Sequence, residues 1–480
     1  LKFSCPKCKS KIEIQKTFNK KIHVSCTKCR IEDLLEFKKN YDEVFLEFLS
    51  RFDKGLVSEN GITESLKDEG IVRSESEIKK MIGENKPDLI TETVLYSKRD
   101  YISLYKILKN PEPEMGSLTI EMGLDDKITR YLLENNIEQF YKFQETAIEE
   151  IVFGENVIIE APTASGKTEA FLIPVIQKIK NSPESGVFAV FVYPTKSLAR
   201  DQYPKIQRFA EQIGIQVKVF DGDTNQNERR EILDKPPQIL VTNFDVIHYH
   251  LWHQTKFASL LANLRILVVD ETHVYSGIFG SNVHYILKRL KRVCSNKIQF
   301  IAASATLEDA KEFCDTLFGT KMKLIQGSGK KGQTDFVMIF PSLRNQRALM
   351  VDLTKKLTEK NHKTMVFSNS HLNSELLAIQ AKKQKINIKV HRAGLMANYR
   401  RSVEKDFKED SLQAISCTPT LELGIDVGNV DGVISSTIPV NRLIQRIGRA
   451  ARKGQRGYAF LALGNDPISQ YYKNHPQDYF

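Results

Sequence analysis

The chain has 480 residues, 41% of them hydrophobic, with 70 Lys and Arg against 59 Asp and Glu for a net charge of +11. This composition suits an ordinary globular protein with room for three or four domains, and no low-complexity tract or short-period repeat interrupts it. No apolar run approaches membrane-spanning length and no secretory leader is visible, which excludes a membrane partner and sets the expected location as the reducing cytoplasm; the basic balance suits a polyanion.

Four of the seven cysteines fall within the first thirty residues. Cys5-Pro6-Lys7-Cys8 and Cys26-Thr27-Lys28-Cys29 are separated by seventeen residues, the spacing of a four-thiolate Zn²⁺ ribbon and not of a disulfide framework. Alternating residues between Lys11 and Val24 supply the ribbon strands, and His23 within them is expected at the surface and not on the metal. About forty residues bury too little apolar surface to fold alone, so the ion held by Cys5, Cys8, Cys26 and Cys29 would provide much of the stability of residues 1–40. Its lysines make the ribbon a candidate grip on nucleic acid or a docking point for a protein partner.

Residues 41–115 are expected to form a small helical unit. Tyr41 to Phe52 has apolar residues at helical spacing, Ser74 to Glu77 is a capping box before Ile78, and Leu89 to Leu104 has the pattern of a hairpin. This order suits either a winged helix or a spacer. Asn110 to Gly116 has linker composition.

From 116 to 327 short apolar runs alternate with helical segments, which predicts a parallel sheet covered on both faces: Val157 to Ile159, Val187 to Tyr193, Val217 to Phe220, Ile239 to Val241, Ile266 to Val269 and Ile298 to Ala302. The first run leads into Ala161-Pro162-Thr163-Ala164-Ser165-Gly166-Lys167-Thr168, a phosphate loop with Ala161 in place of the usual first Gly. Backbone N–H groups of Thr163, Ala164, Ser165 and Gly166 would cradle phosphates, Lys167 would reach the β and γ positions, and Thr168 would hold Mg²⁺. A second run ends in Asp270-Glu271-Thr272-His273; Asp270 would take the Mg²⁺ and Glu271 the attacking water. The cluster His248, His250 and His253 around Trp252 is expected to be a helix and not a metal site. After the polar joint Gly327 to Gln333, residues 328–480 repeat the plan with runs at Val337 to Phe340, Met365 to Phe367, Ile388 to Val390, Ala414 to Ser416, Val433 to Ser435 and Tyr458 to Leu463.

Asp-Glu-x-His, Ser304-Ala305-Thr306, Thr418 to Gly428 and Gln445 to Arg452, in that order, resemble the motifs of superfamily 2 DExH-box helicases. GKTEA, HRAGL at His391 to Leu395, LELGID and the tail from Asp466 to Phe480 look most like the Lhr and MrfA group of DNA repair helicases, over about residues 125 to 480. The resemblance implies an α/β fold of two tandem RecA-like parallel-sheet domains, preceded here by the zinc ribbon and the helical unit. It further implies ATP and Mg²⁺ between those domains and nucleic acid, DNA in preference to RNA, across both. By the same resemblance Gln144 would recognise adenine, Asp426 the ribose, and Ser304 and Thr306 would couple closure to hydrolysis. Arg449 and Arg452 would be arginine fingers supplied by the second domain, with Gln445 positioning water or phosphate. Nucleic-acid contacts would come from Thr195, Lys196, Arg200, Thr242, Asn243, Ser368, Asn369, Arg392, Gly394 and Thr418, mostly small polar groups that suit phosphate oxygens. The implied activity is ATP-dependent 3′ to 5′ unwinding or translocation in DNA repair or processing. An RNA helicase and an ATP-gated remodeller that does not separate strands remain alternatives. The MrfA group continues into a cysteine-rich domain that this sequence does not contain, so the chain is natively short, truncated, or completed by a partner.

Overall fold

The computed structural model describes residues 3–16, 21–26, 28–36, 40–54, 56–57, 73, 75–82, 99–109, 111–162, 165–182, 186–305, 309–329, 332–422, 427–451 and 454–480. Two compact units emerge: Asn110–Lys331 with Leu423–Asp426 form one, and Leu1–Lys109, Gly332–Glu422 and Val427–Phe480 the other.

The first of these is a seven-stranded sheet in the order Lys323–Gln326, Val157–Glu160, Gln299–Ser304, Ile266–Val269, Ala189–Val192, Ile239–Thr242, Val217–Val219, parallel throughout. Six of these strands were expected from their apolar runs; the edge strand Lys323–Gln326, alternating and half exposed, was not. Because successive side chains point to opposite faces, Val157 and Ile159 join one core and Ile158 the other. Helices Lys142–Phe153, Lys167–Lys180 and Lys196–Ile213 cover the first face, and Phe244–Trp252, Gly277–Val293 and Ala310–Phe318 the second. Parallel strands deliver their following loops to one edge of the sheet, which is how residues far apart in sequence reach one site.

The linker composition at 111–116 belongs to this unit. Met115–Leu118 pairs with Gln139–Tyr141, the Lys142 N–H donates to the Glu114 carbonyl at 2.8 Å, and the Ser117 N–H donates to Glu145 Oε2 at 2.8 Å.

The other unit holds a second seven-stranded sheet, in the order Ile388–His391, Ala414–Cys417, Thr364–Phe367, Gly432–Ser436, Gly457–Ala462, Thr334–Phe340, Tyr101–Leu108. The last strand is antiparallel to its neighbour and corrects the expected boundary, since residues 101–108 belong to this sheet and not to a separate unit at 41–115. Buried Asp335 fixes it there: Tyr105 Oη donates to its carboxylate at 3.0 Å, and Arg456 binds the same carboxylate through two nitrogens at 2.6 and 3.0 Å. Arg344 likewise ties buried Asp100 to Asp352 at 2.6 and 3.0 Å. Helix Glu75–Ile82 packs Ile78 and Ile82 into the same core. The winged-helix reading of Gly70 to Val72 and most of the Leu89 to Leu104 hairpin lies outside the described residues.

At the start of the chain, Glu13–Lys16, Lys21–Cys26 and Ile31–Glu36 form a three-stranded antiparallel sheet. Helix Tyr41–Asp53 is capped by Asn40 and contributes Val44 and Phe48 to the ribbon's core, so the ribbon extends past residue 40.

Candidate functional site

Three strand ends of the first sheet converge on the phosphate loop. Val157–Glu160 runs directly into it, and the 14-residue helix Lys167–Lys180 leaves it with Gly166 as its cap and no side chain bonded to its first N–H groups. A helix start without a capping side chain, together with the helix dipole, suits an anion. Gly166 has φ +88°, and a Cβ there would lie 2.3 Å from Gln144 Nε2, so the position requires glycine. Ser165 is buried and its hydroxyl has no hydrogen-bond partner, a cost that a bound ligand could remove.

Lys167 Nζ donates to the carbonyls of Ala161 at 2.5 Å and Pro162 at 3.1 Å. Desolvation lowers its pKa, opposed by the charges of Glu271, Asp270 and Glu160. Asp270 responds in the opposite sense: burial, then the neighbouring Glu271, push its carboxyl up to about 7. Glu271 is buried, with its backbone strained in the left-handed region at φ 49°. His273 closes the cluster, its Nδ1 3.6 Å from Glu271 and 3.3 Å from Ser304 Oγ, while its buried Nε2 has no partner. Two further residues that the motifs do not include, Glu160 and Tyr193, stand at strand ends here. Both face this site: Tyr193 is fully buried, and its phenol pKa is raised by desolvation and then by Asp270, Asp201 and Glu271. Position at a strand end beside the motif was the available signal.

Gln144 is held more tightly than an adenine reader alone would need. Its Oε1 accepts from the Tyr141 N–H at 2.9 Å and its Nε2 donates to the Gly166 carbonyl at 2.9 Å, tying the upstream helix to the phosphate loop. Thr168 is half-buried in the first helical turn. Thr163, Ala164, Thr306, Asp426 and Arg452 lie outside the described residues.

In the second unit, Glu422 gathers three arginines. Arg446 pairs with it through Nε and donates Nη1 to Ser435 Oγ at 2.8 Å, and Arg442 reaches its carboxylate at 2.7 Å. Arg449 is buried and donates Nη2 to the Glu422 carbonyl at 2.5 Å. Gln445 is half-buried on the same helix, Val440–Ile447. Sequence reasoning named Arg449 and Gln445 but missed the Glu422–Arg446 pair, whose two members lie on separate elements.

The residues expected at nucleic acid divide sharply. Lys196 is exposed and paired with Asp223 at 2.7 Å, Asn369 is exposed with Nδ2 on the Thr437 carbonyl at 2.9 Å, and Gly394 is exposed with φ +81°. Thr195 and Asn243 cap helices, accepting from the Leu198 and Val246 N–H groups. Arg392 pairs with Glu375 at 2.8 Å. Others are turned inward: Thr242 is fully buried with its hydroxyl on the Phe220 carbonyl at 2.7 Å, and Ser368 and Thr418 are buried. Arg200, partly exposed, binds the fully buried Asp221 through two nitrogens at 2.7 and 2.8 Å and so holds a turn.

The four ribbon thiols lie with all Sγ atoms within 4.8 Å of one another. A tetrahedron with Zn–S bonds of about 2.3 Å has edges of about 3.8 Å, and Cys5–Cys29 at 4.0 Å and Cys8–Cys26 at 3.5 Å bracket that value. Lys9 and Arg30, each immediately after the second cysteine of its pair, share φ near +60° at 60° and 58°. His23 is buried and 3.4 Å from Glu32, not at the surface as expected, and is not among the clustered ligands. Among the described residues the His248, His250 and His253 group forms no metal cluster; His248 Nδ1 meets Arg289 Nη1 at 3.0 Å and His250 Nδ1 meets Thr255 Oγ1 at 2.7 Å.

The DEAD/DEAH box helicase family matches residues 141–313, and the helicase conserved C-terminal domain matches residues 345–454. The chain belongs to the DEAD/DEAH-box helicases. It is 32% identical to the ATP-dependent helicase YprA of Bacillus subtilis over 75% of this chain and 50% of that protein. It is also 32% identical to the ATP-dependent helicase hrq1 of Schizosaccharomyces pombe, over 76% of this chain and 37% of that protein. The solved structure of the DUF1998 helicase MrfA bound to DNA superposes with a TM-score of 0.74 at 29% identity, covering 82% of this chain and 55% of that one. The chain thus spans about half or less of the length of these helicases. Among the described residues no helix is long and apolar enough to cross a membrane.

Proposed function

We propose that the chain is the motor of an ATP-dependent helicase or translocase that acts on nucleic acid, on DNA in preference to RNA, with 3′ to 5′ polarity, in DNA repair or processing. The observation that carries this reading is the convergence of Lys167, Asp270 and Glu271 beside an uncapped helix start and the unpartnered Ser165 hydroxyl. Buried charges with incomplete partners are costly unless a ligand completes them, and a nucleoside triphosphate has the complementary charge. Lys167 would exchange its bonds to the Ala161 and Pro162 carbonyls for phosphate oxygens. Thr168 and Asp270 would hold Mg²⁺, which supplies charge neutralisation at the phosphates. Glu271, beside His273, would orient and deprotonate the attacking water.

For Arg449 to serve as a finger, its guanidinium must leave the Glu422 carbonyl for the γ phosphate, where it would neutralise charge as it develops. Gln445 would position phosphate or water nearby. Lys196, Asn243, Asn369, Arg392 and Gly394 remain candidates for the strand's backbone; Thr195 would act through its helix cap. Cys5, Cys8, Cys26 and Cys29 would hold structural Zn²⁺. The preference for DNA rests on family membership and on a structural relative, MrfA, solved with DNA.

The test measures ATP hydrolysis with single-stranded DNA, duplex DNA and RNA side by side, then strand displacement on duplexes with a 3′ or a 5′ tail. Stimulation by single-stranded DNA with displacement from the 3′ tail supports the reading. Stimulation with no displacement from either tail would make the protein a remodeller, and stimulation by RNA alone an RNA helicase.

A further inference from the structure

We infer that Tyr193 is a positioning residue for Mg²⁺ at the candidate nucleotide site: its phenol O–H donates to the Asp270 carboxylate and holds that carboxylate toward the ion. This rests on the motor reading above. Tyr193 stands outside the groups that carried that reading, and it touches neither nucleotide nor metal itself; it acts through Asp270.

Strand register places the two side chains together. Ala189–Val192 and Ile266–Val269 are parallel neighbours with Val192 opposite Val269. The next residue on each is Tyr193 and Asp270, and the ladder continues between them, the Asp270 N–H donating to the Val192 carbonyl at 3.0 Å. Side chains alternate between the faces of a sheet, so Phe191 and Val268 lie in the core of the first face, and Val192 and Val269 in that of the second. Tyr193 and Asp270 therefore leave the sheet side by side on the first face, where Tyr193 joins the core beneath the helix Lys167–Lys180.

Tyr193 is fully buried and its hydroxyl has no hydrogen-bond partner. A buried hydroxyl left unbonded is destabilising, and phenylalanine would fill the same space without that cost, so the donor calls for an acceptor. After burial, the charge of Asp270 does most to raise the Tyr193 pKa, ahead of Asp201 and Glu271. Asp201 is already engaged, accepting from Gln202 Nε2 at 2.9 Å and lying 4.0 Å from Lys205 Nζ. Asp270 accepts from the Glu271 N–H at 2.8 Å through Oδ1, and among the described residues no side chain donates to it. A carboxylate that binds a metal through one oxygen needs a donor to fix its direction, and the phenol beside it is that donor. Tyr275 makes the contrast. Its hydroxyl is also buried and unpartnered, and Asp270 also raises its pKa. Its ring, however, packs in the core of the second face, edge-on to Phe244 at 5.1 Å, across the sheet from the Asp270 side chain.

The experiment follows binding of a fluorescent, non-hydrolysable ATP analogue to the full chain as Mg²⁺ is titrated, with a melting curve for each protein in the absence of nucleotide. Tyr193→Phe keeps the ring and removes the hydroxyl. It should raise the nucleotide-free Tm by about 2–4 °C, because an unbonded buried donor is gone. It should also raise the half-saturating Mg²⁺ concentration about tenfold. Greater stability with weaker dependence on the ion is a pattern that a packing role does not produce. Tyr275→Phe should raise the Tm likewise and leave the Mg²⁺ requirement as in wild type. A wild-type Mg²⁺ requirement in Tyr193→Phe would overturn the assignment, as would a lower Tm, which would mean that the hydroxyl has a partner in the free protein. An equal shift in Tyr275→Phe would also overturn it, since the effect would then be a field acting across the sheet and not a bond to Asp270. If the wild type does not bind the analogue in the presence of Mg²⁺, the motor reading fails and this role with it; Mg²⁺-dependent binding by the wild type with an unaffected Tyr193→Phe sinks the role of Tyr193 alone.

Discussion

Two buried charge clusters, one in each unit, differ in how their charges are paired. Around the phosphate loop, Lys167 leans on backbone carbonyls, the Asp270 carboxyl is raised to about 7 beside Glu271, and Ser165 Oγ and His273 Nε2 have no partner. Around Glu422, by contrast, opposite charges meet: one carboxylate receives Arg446 and Arg442, its own carbonyl receives Arg449, and Ser435 takes another guanidinium N–H, which leaves Arg446 Nη2 without a partner. Burying a charge is costly wherever it happens, and the two clusters offset that cost differently. The second offsets it by ion pairs within the protein, with Arg446 Nη2 left over, and reads as scaffold. The first is left for a ligand to complete, which is the mark of a binding site.

The sharpest way to break that contrast is at the first cluster. Lys167→Ala and Glu271→Gln are each expected to abolish hydrolysis, by about a thousandfold or more, because one removes the phosphate contact and the other the group acting on water. They should part in binding: Glu271→Gln keeps ATP affinity and Lys167→Ala loses it, measured with a fluorescent ATP analogue. Wild-type turnover in a pure Glu271→Gln preparation would remove Glu271 from catalysis.

At the second cluster the expected effect is on folding. Glu422→Ala leaves the fully buried Arg446 without its carboxylate, a loss of about 3–5 kcal/mol that thermal unfolding should show as a clear drop in Tm. Arg449→Ala empties a buried side-chain position, so some loss of Tm accompanies it, while turnover should fall about a hundredfold and ATP affinity stay within a few-fold. A large loss of Tm with unchanged turnover would instead make Arg449 part of the scaffold.

Much of this was legible in the sequence, and the omissions share one cause. Apolar runs such as Ile266 to Val269 announce buried parallel strands, and Gly166-Lys167-Thr168 carries its geometry locally. Tyr101–Leu108 also has strand character, but its partner Asp335 lies 230 residues from Tyr105, and no local pattern says which sheet it joins. The same holds for charge. Arg200 and Arg229 both look like surface cations, and only the fold shows that Asp221 neutralises the first while its carbonyl aims the second. Thr242 has a motif's spacing, yet its hydroxyl is spent on the Phe220 carbonyl. Sequence identifies groups able to do chemistry; it does not say which are already engaged.

The ribbon extends the comparison to a site completed by an ion. Replacing Cys5 and Cys8 by Ser should abolish stoichiometric zinc by elemental analysis and unfold residues around the three-stranded sheet, because the ion supplies most of that segment's folding free energy. Basal ATP hydrolysis should survive, since the phosphate loop lies in a unit with its own core. Weaker nucleic-acid binding with a shallower salt dependence would show that the ribbon grips substrate. Unchanged binding would point to a protein partner, and absence of zinc in the wild type would end the assignment.

The smallest effect tests whether a buried charge always marks a binding site. Lys473 is 5% exposed, its ammonium 4.1 Å from the Tyr101 ring centroid and 5.7 Å from that of Phe340, with Arg73 adding repulsion. Burial, then Arg73, lower its pKa from 10.5 to about 7, while the ring faces partly offset the cost. The folded state therefore holds fewer protons than the unfolded state between those two values, and stability from this group rises with pH across that window. Below about pH 7 the lysine is charged in both states and the full penalty is present. Lys473→Met keeps the packing and removes the charge, so it should raise Tm by about 2–4 °C at pH 6, with the gain shrinking toward pH 10. Differential melting of the two proteins across this range isolates the group from every other titration. A constant difference would mean that Lys473 is solvated in the folded state, and a Tm that falls in the variant at pH 6 would mean that its cation stabilises the strand Tyr101–Leu108 through the aromatic faces.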